Sequence, residues 1–259
     1  ITLIDDNPKR TFEKIPKFVK VKKIQTNNFS LIEKKKLNKE LFDKDNKKII
    51  FITNYAFIIK FFLLFMKLKK QDIKLILTLH SGLFNLNLKR YIAGLIFSFI
   101  YKKVDHLFFG SNSAKDWWKR NYPWMDINEN LIIYNGVNIK TKRKIKKLKK
   151  KISIAFVGRL ESENNPEFFI NIAEKYLQSH ENATFNIYGD GSMLESLKLK
   201  IKNKKIKFYG WVNKNEIYKN SNIILITSQT NNFPYVALEA KSYGIPVISS
   251  SKGDIKKII

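Results

Sequence analysis

Short apolar runs rich in β-branched residues alternate with longer stretches of helical spacing along almost the whole chain, and this alternation predicts a parallel α/β architecture. In the first half the runs are ITLID (1–5), KVKKI (20–24), KIIFITN (48–54), KLILTLH (74–80), HLFFGS (106–111) and NLIIYNG (130–136). In the second half they are ISIAFVG (152–158), ATFNIYGDG (183–191), KIKFYG (205–210), NIILITS (222–228) and PVISS (246–250). Helical patterns fill the gaps: NPEFFINIAEKYLQ (165–178), with Pro166 in its first turn, and SMLESLKLKIK (192–202). Near the end, TNNFPYVALEAKSYGIPVISS (230–250) reads as loop, short helix, glycine turn and strand, with Glu239 a little inside the helix. FIIKFFLLFMKLKK (57–70) and RYIAGLIFSFIYKK (90–103) are the most apolar stretches. Both fall short of the roughly 20 residues of a membrane-spanning helix and read as buried helices of an α/β domain rather than as helices lying on a bilayer.

The alternation breaks once. IKTKRKIKKLKKK (139–151) is a dense run of like charge with few large apolar residues, which predicts an exposed linker. The expected organisation is an N-terminal α/β domain over 1–139, a basic linker over 140–151 and a C-terminal α/β domain over 152–259. A chain of 259 residues with 44% hydrophobic content can bury a core in each.

The special residues fall at strand ends. Gly158, Gly189, Gly191, Gly210 and the 227–232 loop each follow an apolar strand directly, which puts them at one edge of the second sheet. Asn54, His80–Gly82, Gly110–Ser111 and Asn135–Gly136 are placed the same way in the first domain. In an open parallel sheet the crevice beyond the carboxyl ends of the strands is where ligands bind. Two such edges facing one another would form an interdomain cleft.

Three stretches at the second edge carry candidate chemistry. In FVGRL, Gly158 permits close backbone approach and Arg159 offers a planar, permanently charged fork for phosphate oxygens. YGDG (188–191) supplies a tight turn with open amides. A helix starting near Pro234 presents the amides of Tyr235, Val236 and Ala237 at the positive end of its dipole, an anion site. Glu239, about 7.5 Å further along the axis by the rise of an α-helix, can accept hydrogen bonds from two neighbouring hydroxyls, as on a ribose. Each stretch also has a plain reading, as a surface arginine, an ordinary turn and a solvated carboxylate.

Charge and composition narrow the partners. The net charge of +27 attracts phosphates and anionic membranes, although abundant Lys, Ile and Asn with scarce Arg and Gly is also the mark of AT-rich coding. No nucleic-acid-binding motif accompanies the charge, so nucleic acid is not an expected partner. The absence of cysteine excludes disulfides and thiolate metal sites, and His80, His106 and His180 are too scattered for zinc. There is no carboxylate pair for glycoside hydrolysis and no G-x-x-x-x-G-K-[ST] loop for a nucleoside triphosphate. DKD (43–45) sits in a polar run rather than after a strand.

In order and spacing, VGRL followed by NP, then IYGDG, FYGWV and NNFPYVALEAKSYGIPVISS, resemble the donor-binding domain of retaining family 4 glycosyltransferases, which have the GT-B fold. TLHSG, FFGSNSAK and IIYNGVNI are similar to that family's acceptor-side strands, so the resemblance spans nearly the whole chain. It implies two Rossmann-like domains, the first on the acceptor side and the second binding a nucleotide sugar. The implied reaction moves a sugar from that donor to a glycan or lipid-linked acceptor with retained configuration, no cofactor and no required metal. Carried over by position, Gly158 and Arg159 would meet the diphosphate, Glu239 the ribose and His80 the donor sugar. Gly189, Asp190 and Gly191, with Phe208, Tyr209 and Gly210, would flank the base, and Phe233, Tyr235 and Val236 belong to the same donor-binding stretch.

Two positions depart from the family pattern. Asn231 stands where an acidic residue is usual, eight positions before Glu239, and keeps the capacity to bond sugar hydroxyls. Asn164 stands where a lysine is usual, five positions after Arg159, which removes a cation from the leaving diphosphate. The resemblance also places a strand with a Gly-rich loop before Ile1, and a strand and a helix after Ile259, so the chain reads as an internal segment of a longer enzyme. Its expected place is the cytoplasm, in peripheral contact with the inner face of the membrane. Two alternatives share the fold: a sugar-nucleotide epimerase, and a degenerate, non-catalytic nucleotide-sugar binder.

Overall fold

The computed structural model describes residues 2–5, 20–23, 48–52, 73–80, 88–137, 151–229, 233–250 and 253–259. The chain divides into two compact units, one comprising Ile1–Phe109 and Ala114–Ile132, the other Gly110–Ser113 and Ile133–Ile259.

In the first unit, β1 (Thr2–Asp5) pairs in parallel with β2 (Lys20–Lys23). A second parallel sheet has the order β3 (Lys48–Ile52), β4 (Ile73–Leu79), β5 (His106–Phe109). Helix α1 (Leu88–Ile100) precedes β5 and α2 (Asn112–Asn121) follows it. Every second residue of β4, Leu75, Leu77 and Leu79, is buried, as strand periodicity requires, against Phe97 of α1, Trp118 of α2, Tyr122 and Ile127. Phe97 and Trp118 meet edge to face at 5.4 Å.

Three expectations for this half need comment. The run at 130–136 forms no strand: it makes one isolated parallel bridge, Ile132 to Phe109. Leu131 and Ile133 point into solvent, and the Asn130 side chain donates to the Leu107 carbonyl at 2.7 Å, so little apolar surface is buried for extending the ladder. The helix expected within 90–103 exists as α1 and a 3₁₀ turn at Tyr101–Lys103, yet it is not wholly buried. Phe97 and Ser98 are inside, while Leu88, Ile92, Ile96 and Phe99 form an exposed apolar row. A helix lying on a sheet buries only one stripe, and α1 is apolar on both faces. The stretch 57–70 and the linker up to residue 150 lie outside the described residues.

The second unit is one parallel sheet in the order β10-β9-β6-β7-β8. Its strands are β6 (Ile152–Val157), β7 (Ala183–Tyr188), β8 (Ile206–Gly210), β9 (Ile223–Ile226) and β10 (Val247–Ser249). The connecting helices are α3 (Pro166–Ser179), α4 (Leu194–Lys200), α5 (Lys214–Asn220) and α6 (Tyr235–Ser242). From central β6 the chain steps outward to β7 and β8, then returns to the other flank of β6 for β9 and β10. That reversal leaves a crevice between the carboxyl ends of β6 and β9.

Successive residues of a strand face opposite ways, so β6 feeds two cores. Phe156 joins Leu160, Phe169, Ile170, Phe185 and Leu197 on one side. Ala155 joins Ile217, Tyr218, Ile224, Ala237 and Ala240 on the other. Helix α3 begins where its sequence signals it: Asn165, left-handed at φ 49°, accepts from the Phe168 amide, and Pro166 follows. Its buried Phe169, Ile170, Ala173 and Leu177 keep helical spacing.

Candidate functional site

Gly158 and Arg159 follow β6 directly, Thr227 and Ser228 follow β9, and these strands are neighbours, so both loops meet at the crevice where the strand order reverses. The loops are laced together. The Thr227 hydroxyl lies 3.1 and 2.9 Å from the carbonyl oxygens of Asn164 and Asn165, and the Gln229 amide donates to the Glu163 carbonyl at 3.1 Å. Asn164 Nδ2 donates to the Arg159 carbonyl at 2.9 Å, and Asn164 Oδ1 accepts from Ser228 Oγ at 3.4 Å. Asn164, at the position where a lysine was expected, thus serves to join loops.

Arg159 has 64% of its side chain exposed and pairs with Glu163, four residues further along. An exposed pair of this kind is weak, so the guanidinium can exchange Glu163 for an incoming phosphate at little cost.

The expectation of open amides in YGDG is corrected. The Gly189 amide donates to the Gly210 carbonyl at 2.8 Å, and the Gly191 amide donates to Asp190 Oδ1 at 2.7 Å. These glycines are required by the fold itself: a Cβ on Gly189 would lie 1.9 Å from the Gly158 carbonyl oxygen, and one on Gly191 2.5 Å from that of Leu160. The loops after β6 and β7 are pressed backbone to backbone. Asp190 remains exposed. Beside it, Glu161 accepts from the Ser192 amide at 2.9 Å and its hydroxyl at 2.7 Å, and these bonds hold the Glu161 carboxyl below the usual carboxylate range. Gly158 differs from its neighbours, since a Cβ there would meet only the Phe156 ring at 3.7 Å and Asn164 Nδ2 at 3.9 Å, ordinary contacts.

Helix α6 starts at Tyr235, one residue after Pro234. The Ala237 amide already donates to the Pro234 carbonyl at 3.1 Å, so of the three amides expected to be open, that one is spent. Those of Tyr235 and Val236 precede the first intrahelical bond, as in any helix. Phe233 packs against Tyr134 with ring centroids 4.5 Å apart, Val236 is half-buried on the core, and Tyr235 is exposed. Glu239 keeps 24% of its side chain exposed; its Oε2 accepts from the Tyr218 hydroxyl at 2.7 Å and its Oε1 lies 3.7 Å from Lys214 Nζ.

Tyr209, at the end of β8, is partly exposed and stacks on Tyr188 at 5.0 Å; Trp211 beyond it is 77% exposed. His80, in the first unit, is exposed at the carboxyl end of β4, and the desolvation it feels there lowers its pKa, so the ring is neutral at pH 7. Asn231 lies outside the described residues. Sequence reasoning missed Tyr218, Lys214 and Glu163. The short spacing of Arg159 and Glu163 was a visible signal; the approach of α5 to Glu239 was not, since 21 residues separate Tyr218 from its partner.

Among the described residues no helix is long and apolar enough to cross a membrane. Two family profiles match the chain: "Glycosyltransferase Family 4" over residues 5–141 and "Glycosyl transferases group 1" over 138–259. A Klebsiella pneumoniae protein named "Uncharacterized 41.2 kDa protein in cps region" is 26% identical over 219 residues, 79% of this chain and 60% of its own length. The Escherichia coli UDP-Gal:alpha-D-GlcNAc-diphosphoundecaprenol alpha-1,3-galactosyltransferase is 30% identical over 139 residues, 46% of this chain and 36% of its own. The chain thus spans 60% or less of the length of these two relatives. Among solved structures, Anabaena Alr3699/HepE in complex with UDP-glucose matches with a TM-score of 0.72 at 15% identity, over 93% of this chain and 69% of that one, a likeness of fold. With parallel α/β units and these two matched profiles, the chain belongs to glycosyltransferase family 4 and has the GT-B fold.

Proposed function

We propose that the second unit binds a nucleotide sugar and that the enzyme to which this chain belongs transfers the sugar, with retained configuration and without a metal, to a glycan or lipid-linked acceptor. The observation that carries this is the crevice at the strand reversal. Arg159 follows one of its two strands, and the helix bearing Glu239 follows the loop after the other. In this reading Gly158 and Arg159 face the diphosphate, and the first amides of α6 add positive potential as the leaving group gains charge. Glu239 takes the ribose hydroxyls, Tyr209 and the loops around Gly189–Gly191 and Gly210 border the base, and Asn231 and His80 act at the sugar.

UDP-sugars are the first donors to test, because HepE is described with UDP-glucose and the E. coli relative is named for UDP-Gal. In a thermal-shift panel of UDP-, GDP- and ADP-sugars on the full-length protein, one donor at about 100 times its Kd raises Tm by roughly 5–10 °C. Glu239→Ala loses that shift, and EDTA leaves it and the transfer rate unchanged. His80→Ala keeps the shift and loses transfer. A wild-type protein indifferent to every donor, or a Glu239→Ala protein that responds like it, would remove the basis of the assignment.

A second reading, a degenerate binder without catalysis, is favoured by Asn231, where an acidic residue is usual, and by Asn164, whose side chain is committed to joining loops where a cation is usual.

The same proposal places the enzyme at the inner face of a membrane, since a lipid-linked acceptor presents its reactive end there. The exposed row Leu88, Ile92, Ile96 and Phe99, with Trp124 stacked on Phe99 at 5.8 Å and Lys102 and Lys103 just beyond, supports this. We expect co-sedimentation with vesicles containing phosphatidylglycerol, weakened by salt and lost in an Ile92→Ser/Phe99→Ser double variant. Binding that is indifferent to these two residues would leave only a diffuse charge effect.

A further inference from the structure

Glu239 is held from a neighbouring helix. Tyr218, on α5, is fully buried, and its hydroxyl donates to Glu239 Oε2 at 2.7 Å. A buried phenol hydroxyl is costly unless it is bonded, and phenylalanine would fill the same space without that cost. The ring has no freedom to swing away: it stacks on Tyr243 at 5.0 Å with 26° between planes, and the Tyr243 hydroxyl bonds to Asn215 Oδ1 on the same α5. On the other carboxylate oxygen, Lys214 Nζ lies 3.7 Å away.

An ionised carboxylate has about four acceptor sites on its two oxygens. Tyr218 occupies one, from the buried side, and leaves places for further donors from the exposed side. Burial, and then the bond to Glu239, push the Tyr218 pKa far above the ordinary tyrosine range, so the phenol stays a donor wherever the protein is folded. From the exposed side the carboxylate can then accept from both hydroxyls of a vicinal diol.

We propose that Tyr218 is a positioning residue of the donor site: its hydroxyl fixes the Glu239 carboxylate in the one orientation that accepts both ribose hydroxyls of the nucleotide. This rests on the assignment of Glu239 to the ribose. Tyr218 touches no substrate; it acts through Glu239, and a substrate with no ribose hydroxyls is blind to it.

The experiment compares Kd for two probes, the nucleoside diphosphate whose sugar gives the largest thermal shift and its 2′,3′-dideoxy counterpart, on the full-length protein. Wild type prefers the ribose form by about tenfold or more, the strength of hydrogen bonds to a charged group. Tyr218→Phe lowers this preference by about five- to tenfold, entirely through weaker binding of the ribose form. KM for the donor rises accordingly, while kcat at saturation changes little. Tyr243→Phe, which keeps the Glu239 bond, retains the wild-type preference and so separates positioning from packing. Tyr218→Met is made alongside, so that a folded variant without the donor is in hand; either one decides.

If Tyr218→Phe keeps the wild-type preference while Glu239→Ala has none, the inference about Tyr218 fails and the ribose assignment stands. If Glu239→Ala also keeps it, or no nucleotide binds at all, the ribose assignment itself fails and takes the inference with it.

Discussion

Gly189→Ala is expected to lower the thermal midpoint by roughly 5–20 °C, and Gly158→Ala to leave it close to wild type while nucleotide-sugar binding is lost. The two glycines face each other across one contact but answer to different demands. At Gly189 the backbone has φ 137° and an added Cβ would lie 1.9 Å from the Gly158 carbonyl oxygen, which is backbone and cannot rotate aside. Left-handed strain and overpacking together cost about 2–6 kcal/mol, against a domain stability of roughly 5–15 kcal/mol. At Gly158 the same methyl meets ordinary contacts at 3.7 and 3.9 Å, so the protein tolerates it. In the proposed donor site, it would obstruct the approach of a diphosphate to the loop after β6. Circular dichroism melts and a donor-binding titration on both variants check the pair. A Gly189→Ala protein as stable as wild type would contradict the backbone packing, and a Gly158→Ala protein that binds normally would show that no ligand comes close there.

Arg159→Ala is expected to weaken donor binding by about 10- to 150-fold, the equivalent of a charge-assisted hydrogen bond of about 1.5–3 kcal/mol. The melting temperature should hardly move, since Arg159 is exposed where it pairs with Glu163 and such pairs contribute little. Isothermal titration against the donor found by thermal shift measures the effect, and a loss of less than about threefold would take Arg159 out of the site. Asn164→Lys is the informative companion. The asparagine side chain donates to the Arg159 carbonyl and accepts from Ser228; lysine, which has no acceptor, cannot replace the second bond. Losing that bond costs about 0.5–1.5 kcal/mol of stability, so if the enzyme works as it stands, the substitution brings at most a few-fold gain in transfer. A large gain from a negligible starting rate would favour the degenerate reading instead.

The stretch 90–103 shows where sequence pattern stops being informative. Apolar content alone reads as burial, yet whether both faces of such a helix are covered depends on what lies over it, and α1 leaves Leu88, Ile92, Ile96 and Phe99 exposed. The run at 130–136 failed as a strand for a related reason: β propensity is local, but a ladder needs a partner and buried side chains, and Leu131 and Ile133 have no burial to contribute.

By itself the amino-acid order determined the alternation of strands and helices in the second unit, the start of α3 at Asn165–Pro166, and the position of Gly158, Gly189, Gly191 and Gly210 at strand ends. These follow from periodicity, capping and turn chemistry, which act over a few residues. Only the tertiary structure decided that the Gly189 amide is already bonded to the Gly210 carbonyl, that Asn164 is tied to Ser228, and that Glu239 hangs from Tyr218. Each of these joins groups from different strands or helices, and which groups meet is settled by the order of strands in the sheet and the packing of helices on it.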